Sequence, residues 1–293
     1  MTRLAVLSDI HANLHALEAV IQDMQPFEVD HVIVAGDLIN WGPFSVEVLE
    51  RITTLGWGLI RGNHEYYLLD HNTSRAPEEW KYFDTPPWLN SQLRGRWKNT
   101  IAAWPETLSL RYPDAPLIRV VHGSPRNIRE GIYNLTPDDE IETMLAGVEE
   151  SFVIVGHTHL RLNRQVGRWR LFNPGAVGVP LDGQGGANYL ILDGDEDGWQ
   201  PTFRRVPYDL APVLAAFEER KIVEHLGSLG RMLIHEYQTS RPQLYAFNEW
   251  SRLCFPDEPR AIALAERFIH DVKDIDPYLP PAYQLKNIEQ IQV

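Results

Sequence analysis

Five short groups of residues carry the side-chain types from which a divalent-metal centre is built. They are Asp9-Ile10-His11, Gly36-Asp37, Arg61-Gly62-Asn63-His64-Glu65, Val121-His122-Gly123 and Gly156-His157-Thr158-His159. Together they offer two Asp carboxylates, an Asn carbonyl and four imidazoles besides His64, all of them N or O donors. Such donors suit Mn²⁺, Fe or Zn²⁺ better than a thiolate-seeking metal. Seven ligands exceed what one ion takes from protein, whereas two ions sharing a bridging carboxylate fit the number. Singly, each group is weak evidence, because a lone His after a strand is commonly structural and Gly-Asp is a common turn. Their positions bear more weight. Each follows a short apolar run, and the carboxyl ends of strands in an open α/β sheet converge on one crevice.

The elements that must position these groups are legible in outline. Leu4–Leu7, Val32–Ala35, Ile118–Val121 and Phe152–Val155 read as buried strands, and Ala12–Met24, Val46–Ile52 and Asp138–Leu145 as helices. Strand and helix alternate as an α/β fold requires. From Arg161 to Val206 short β-like runs separated by Gly, Pro and Asp turns close a first domain, assigned to residues 1–207. Within it, residues of about 70–112 read as a helical insertion carrying Trp80, Trp88, Trp97 and Trp104, either a lid over the crevice or a segment packed on its own domain. Residues 208–293 read as an appended helical subdomain, available to cover the crevice or to support self-association into a homo-oligomer.

Composition narrows the partners. The 293 residues hold 27 Lys and Arg against 40 Asp and Glu, a formal charge of −13, which disfavours a broad grip on extended nucleic acid or an anionic membrane. No stretch approaches the ~18 apolar residues of a membrane span. Cys254 is the one cysteine, which excludes an intramolecular disulfide and a Cys-based structural zinc site, and it is expected to be a buried, inert thiol in a cytoplasmic protein.

Taken in order, Asp-x-His, Gly-Asp, Gly-Asn-His-Glu, His-Gly and Gly-His-Thr-His resemble the calcineurin-like metallophosphoesterase superfamily over roughly residues 3–206. The resemblance implies an α/β fold, a four-layer α/β/β/α sandwich of two mixed sheets. It implies that Asp9, His11, Asp37 and His159 hold one metal and that Asp37, Asn63, His122 and His157 hold the other, with Asp37 bridging. It also implies in-line hydrolysis of a phosphate ester by water acidified between the two ions, with Mn the expected metal and Fe, Zn or Ni as alternatives. His64, next to Asn63, would neutralise phosphoryl charge or protonate the leaving oxygen, and Glu65 would orient the loop or cap the following helix.

One departure from the pattern bears on the substrate. Where protein phosphatases of this superfamily read Gly-Asp-x-x-Asp-Arg-Gly, this chain has Asn40 and Trp41. Two charged helpers are missing. A monoester dianion gains most from an Arg fork, whereas a diester carries one charge and an organic group that an aromatic ring can contact. The Trp-Gly-Pro loop is similar to the small prokaryotic phosphodiesterase branch. The expectation is therefore a phosphodiesterase acting on small nucleotide-like esters, with Asn40, Trp41 and Arg126 as substrate contacts. A dinucleoside polyphosphate hydrolase or a broad phosphomonoesterase is the alternative, and a protein-interaction scaffold on the same fold is the non-enzymatic one.

Overall fold

The computed structural model describes residues 1–288. Two five-stranded mixed sheets form its centre. The first comprises β1 (Thr2–Leu7), β2 (His31–Val34), β3 (Gly58–Leu59), β9 (Ala187–Asp195) and β10 (Gly198–Val206), in the order β10-β9-β1-β2-β3. The second comprises β4 (Thr107–Tyr112), β5 (Ala115–Val121), β6 (Phe152–Ile154), β7 (Arg161–Val166) and β8 (Trp169–Pro174), in the order β4-β5-β6-β8-β7. Strands β1, β2 and β3 run parallel, as do β5, β6 and β8, while the remaining pairings are antiparallel.

The period of two along β1 explains how the sheets stack. Leu4 and Val6 face a buried cluster with Ile33, Ile118, Ile154, Phe172 and Trp199, which is the seam between the sheets. Ala5 and Leu7 face the other way, into a cluster with Leu17 and Val20 of α1 (Leu14–Met24) and Val48 and Leu49 of α2 (Ser45–Thr53). On the far side of the second sheet, Val153 and Leu171 pack on Ile141 and Met144 of α6 (Asp138–Met144). The layers are therefore helix, sheet, sheet, helix.

The expected insertion divides into two parts. Residues 63–102 form α3 (Asn63–Leu69), α4 (Thr85–Gln92) and α5 (Arg96–Ala102) with a short 3-10 turn at Glu78–Tyr82, whereas 107–112 is β4, the edge strand of the second sheet. Its alternating Leu108, Leu110 and Tyr112 are a strand pattern, packed against the seam between the sheets. Trp88 and Trp97 are buried in the same cluster as α1 and α2, so they fasten the insertion to its own domain.

The C-terminal helices are α7 (Ala211–Glu219), α8 (Ile222–Leu226), α9 (Ser228–Thr239), α10 (Gln243–Cys254), α11 (Ile262–Asp271) and α12 (Leu285–Ile288). Their buried residues, among them Phe217, Met232, Phe247 and Phe268, continue the core cluster of α1 and α2. Cys254 is exposed, contrary to expectation. It is the last residue of α10, one turn past Trp250 and Ser251 on the same stripe, where the buried face of the helix runs out.

Glu236 of α9 gives this region a pH signature. It is 1% exposed, accepts one bond from the Leu244 N–H at 3.0 Å, and leaves Oε2 without a partner. Burial pushes its pKa up to about 7, against the Leu244 bond and the charge of His159. A carboxyl raised in the folded state stabilises the fold fully below its unfolded pKa and loses that contribution as pH rises through the folded value. Between about pH 4.5 and 7 the metal-free protein should therefore lose up to about 3 kcal/mol through this group. Glu236→Gln should flatten that fall in denaturant titrations at pH 5 and 8. An unchanged difference between the two pH values would show that Glu236 ionises freely.

Candidate metal centre

All five sequence groups meet where the carboxyl ends of the two sheets come together. Adjacent parallel strands deliver them in pairs: β1 and β2 of the first sheet end in Asp9 and Asp37, and β5 and β6 of the second in His122 and His157. Backbone bonds zip the first two loops together, Asp9 N–H to Gly36 O at 3.1 Å, His11 N–H to Asp37 O at 3.0 Å and Ala12 N–H to Leu38 O at 2.9 Å. The zipping forces unusual backbone. Asp9, His11, Asp37, Asn40, Trp41, His157 and His159 all have φ between 45° and 73°, a region that costs a non-glycine residue of order 1 kcal/mol or more. Gly62 lies so close to the second loop that a Cβ there would fall 2.1 Å from Asp37 Oδ1, so only glycine fits.

Each carboxylate is gripped by one oxygen and presents the other. Asp9 Oδ2 accepts the His157 N–H at 3.1 Å, leaving Oδ1 buried without a hydrogen bond and 3.3 Å from His159 Nε2. Asp37 Oδ1 accepts the His64 N–H at 2.8 Å. Its Oδ2 faces His122 Nε2 at 3.1 Å, His11 Nε2 at 3.7 Å and His64 Nε2 at 3.9 Å. Asp37 therefore stands between two ligand groups, Asp9, His11 and His159 on one side and His122 and His157 on the other. His122 Nε2 also lies 3.0 Å from Asn63 Oδ1.

This donor set fits divalent cations. His122 Nδ1 donates to Ala35 O at 2.7 Å and His159 Nδ1 to Val179 O at 2.6 Å, since a carbonyl can only accept. Their Nε2 atoms then carry lone pairs when the rings are neutral. Yet His159 Nε2 and His11 Nε2 face each other at 3.0 Å, and His122 Nε2 faces two acceptor oxygens. The His122 lone pair, set against two acceptor oxygens, calls for a cation between them. Without one, protons serve. Burial opposes charging His122, but the Asp37 carboxylate overrides it and lifts the pKa to about 10; Asp9 likewise raises that of His159. Burial would likewise keep Asp9 neutral, but His159 holds its pKa at about 2. His157 is pushed down to about 4 by burial and by His122.

The surrounding residues hold this arrangement. Glu65 takes three backbone N–H groups on one carboxylate, Gly62 at 2.6 Å, Leu38 at 2.9 Å and Asp37 at 3.0 Å, so it both orients the loop and caps α3. Burial and the nearby Asp37 raise its pKa to about 7. Asn40 accepts the Trp41 N–H on Oδ1 at 2.8 Å, which fixes its amide so that Nδ2 donates to His64 Nδ1 at 3.0 Å. His64 thus keeps its own proton on Nε2, facing the ligand groups. Burial, opposed by Asp37, pushes its pKa down to about 4, so the ring is neutral. Trp41 stacks on His11 with ring centroids 4.6 Å apart and meets His64 edge-on at 4.9 Å, so it packs the ligand rings.

Arg126, the cation expected to contact substrate, is engaged elsewhere, as is Arg61 beside Asn63. Arg61 donates to Ala102 O at 2.9 Å and to Glu106 at 3.2 Å, and Arg126 forks onto Glu130 at 2.7 and 2.8 Å. Three tyrosines that sequence reading passed over stand at the site instead. Tyr237 donates to His11 O at 3.2 Å, Tyr283 to Thr158 O at 3.1 Å, and the ring of Tyr67 lies 5.2 Å from that of His64. Tyr67 follows His64 by one helical turn, a spacing visible in the sequence. Nothing local marks Tyr237 or Tyr283, which reach the site from the C-terminal helical region.

Comparison with known proteins agrees with this geometry. The family model for the calcineurin-like phosphoesterase superfamily domain matches residues 2–197. The chain belongs to that superfamily. It is a hydrolase of phosphoric esters, and the dinuclear metal dependence of the family accords with the two ligand groups around Asp37. A metallophosphoesterase from Sphaerobacter thermophilus superposes with a TM-score of 0.66 at 27% identity, covering 82% of this chain and 99% of that one. The phosphodiesterase YfcE of Escherichia coli is 25% identical over 67% of this chain and 89% of its own length. A symmetrical bis(5'-nucleosyl)-tetraphosphatase of Coxiella burnetii is 32% identical over 48% of each chain. Among the described residues, no helix is long and apolar enough to cross a membrane.

Proposed function

We propose that this superfamily member is a phosphodiesterase hydrolysing small, nucleotide-like phosphate esters. Asp9, His11, Asp37 and His159 would hold one divalent ion, and Asp37, Asn63, His122 and His157 a second. We assign Mn²⁺, with Fe, Zn and Ni as the other ions this N/O donor set accepts. Bound there, the ions supply Lewis-acid stabilisation of phosphoryl charge and a water acidic enough to attack near neutral pH. The chain's own residues orient and donate. His64, its proton held on Nε2 by Asn40, offers a neutral hydrogen bond to a phosphoryl oxygen beside Asp37. Trp41 keeps the His11 ring in place and excludes water from one side of it. We place the enzyme in the cytoplasm, a setting that suits a chain with one exposed cysteine.

The observation that favours a diester is the neutral Asn40–His64 pair beside the ligand groups, with Arg61 and Arg126 both committed to carboxylates. A singly charged diester can be held without the Arg fork a dianion needs. Metal-stripped protein should be inactive on bis(p-nitrophenyl) phosphate and gain turnover with Mn²⁺, at a higher kcat/KM than on p-nitrophenyl phosphate. Inactivity with every divalent ion tried would sink the assignment of these ligands, and a monoester preference would overturn the diester reading alone.

A further inference from the structure

One exposed cation is used by neither the ligand set nor the diester reading. Arg129 lies on the loop that follows His122, and its guanidinium sits over the ring of Trp80, 5.6 Å from the centroid. Trp80 is 8% exposed and packs against Tyr67 with centroids 4.7 Å apart, and Tyr67 in turn packs edge-on against His64 at 5.2 Å. An unbroken aromatic path thus leads from the ligand groups to Arg129. Among the described residues Arg129 forms no ion pair, although the chain as a whole holds 40 carboxylates against 27 Lys and Arg. Its loop neighbour Arg126 is forked onto Glu130, which leaves no acidic group of that loop for Arg129.

Two further facts point the guanidinium toward a ligand. The Tyr67 hydroxyl makes no hydrogen bond among the described residues, and its proton is retained, since burial raises its pKa against the pull of Arg129. The charge of Arg129 reaches the Tyr67 phenol, and both groups pack on Trp80. Stacking on an indole also holds an arginine's planar fork in place without neutralising it, so less order is lost when an anion binds.

We propose that Arg129, seated on Trp80 and adjoined by Tyr67, is a subsite for a second anionic group of the ester, a distal phosphate such as that of a nucleoside diphosphate or polyphosphate. The inference rests on the phosphoesterase assignment of the metal groups and deepens it: the reacting phosphoryl occupies the metal groups beside His64, and the far phosphate reaches Arg129. A guanidinium forks two oxygens of a terminal phosphate, and a diester engaged at the metal groups has no second phosphate to offer. The site would prefer esters carrying at least one phosphate beyond the scissile one.

Arg129→Gln tests this in the full-length, metal-loaded protein, with AMP and ADP as competitors of bis(p-nitrophenyl) phosphate hydrolysis. Wild type should bind ADP about tenfold more tightly than AMP, an allowance for a charge-assisted bond at a partly solvated site. The variant should lose most of that ratio while its kcat/KM on bis(p-nitrophenyl) phosphate stays within about twofold, and Arg129→Lys should recover only part of it. Equal affinities in wild type, an unchanged ratio in the variant, or an equal loss on the one-phosphate substrate would each overturn the subsite. Calorimetric titration with the two nucleotides reads the same ratio without turnover. Failure of hydrolysis in wild type would thus count against the proposed activity, and failure of the ratio against Arg129.

Discussion

Asp37→Ala is expected to abolish hydrolysis and to strip the protein of bound metal at once. Its Oδ2 lies 3.1 Å from His122 Nε2 and 3.7 Å from His11 Nε2, so it is the one carboxylate placed to serve both ligand groups. Removing it leaves the imidazoles of both groups without their common anion. It also frees the His64 N–H, which Asp37 Oδ1 accepts at 2.8 Å, and so loosens the start of α3. Two losses therefore fall on one residue, the shared charge and the register of the loop that carries Asn63 and His64. The fall in kcat/KM should be at least about 10³-fold, roughly 4 kcal/mol of transition-state stabilisation. Metal content by mass spectrometry should fall with it. The metal-free fold should survive, because His122 is charged there mainly by Asp37 against burial and can give up its proton when the carboxylate is gone. A variant that holds its metals and turns over at the wild-type rate would remove Asp37 from the centre of the site.

That the five polar groups meet at one place was legible in the sequence because side chains at strand ends need no long-range knowledge to be found. An apolar run names the strand, the next polar residues name its carboxyl end, and parallel strands put those ends together. The pairing of the runs into two sheets came from the family resemblance and not from periodicity, since the period of two shows that Leu4 and Val6 share a face but not that Phe172 and Trp199 lie opposite. Residues 107–112 were misjudged for a related reason. A strand at a sheet edge, half exposed and following a run of tryptophans, looks like the end of the helical insertion until its partner Ala115–Val121 is known. Arg126 was a reasonable expectation from its place after His122, but Glu130, four residues on in the same loop, takes its fork, and a local ion pair of that kind is decided by side-chain geometry. The C-terminal helices were read as appended, yet Tyr237 and Tyr283 hydrogen-bond the loops of His11 and Thr158 across more than a hundred residues of sequence. Contacts of that range have no signature in either segment alone.

His64→Gln should separate two roles that the motif by itself leaves open. If His64 delivered a proton to the leaving oxygen, the variant would lose most on esters with poor leaving groups and least on nitrophenyl esters, where the departing oxygen needs little help. The structure favours the other role. Asn40, oriented by the Trp41 N–H, donates to His64 Nδ1, so the ring is a neutral donor through Nε2. Its pKa is pushed down to about 4 by burial against the pull of Asp37, with the charges of His159 and His122 pressing the same way, and bound cations would press it further. A neutral imidazole is a poor acid at pH 7, because surrendering its one N–H would leave an imidazolate, but it remains a good hydrogen-bond donor to developing phosphoryl charge. The expected loss is about 10²-fold to 10³-fold in kcat, the scale of removing one preorganised donor, and nearly the same for good and poor leaving groups. Metal content should be unchanged, since neither ligand group requires this ring. Asn40→Asp supplies the counter-test: a carboxylate facing Nδ1 would stabilise the imidazolium and turn His64 toward proton donation. That variant should acquire an alkaline limb in its pH–rate profile, a fall in rate as pH rises through the His64 pKa, that wild type lacks. A leaving-group dependence in His64→Gln that steepens with leaving-group pKa would instead make His64 the proton donor and show that Asn40 does not keep it neutral during turnover.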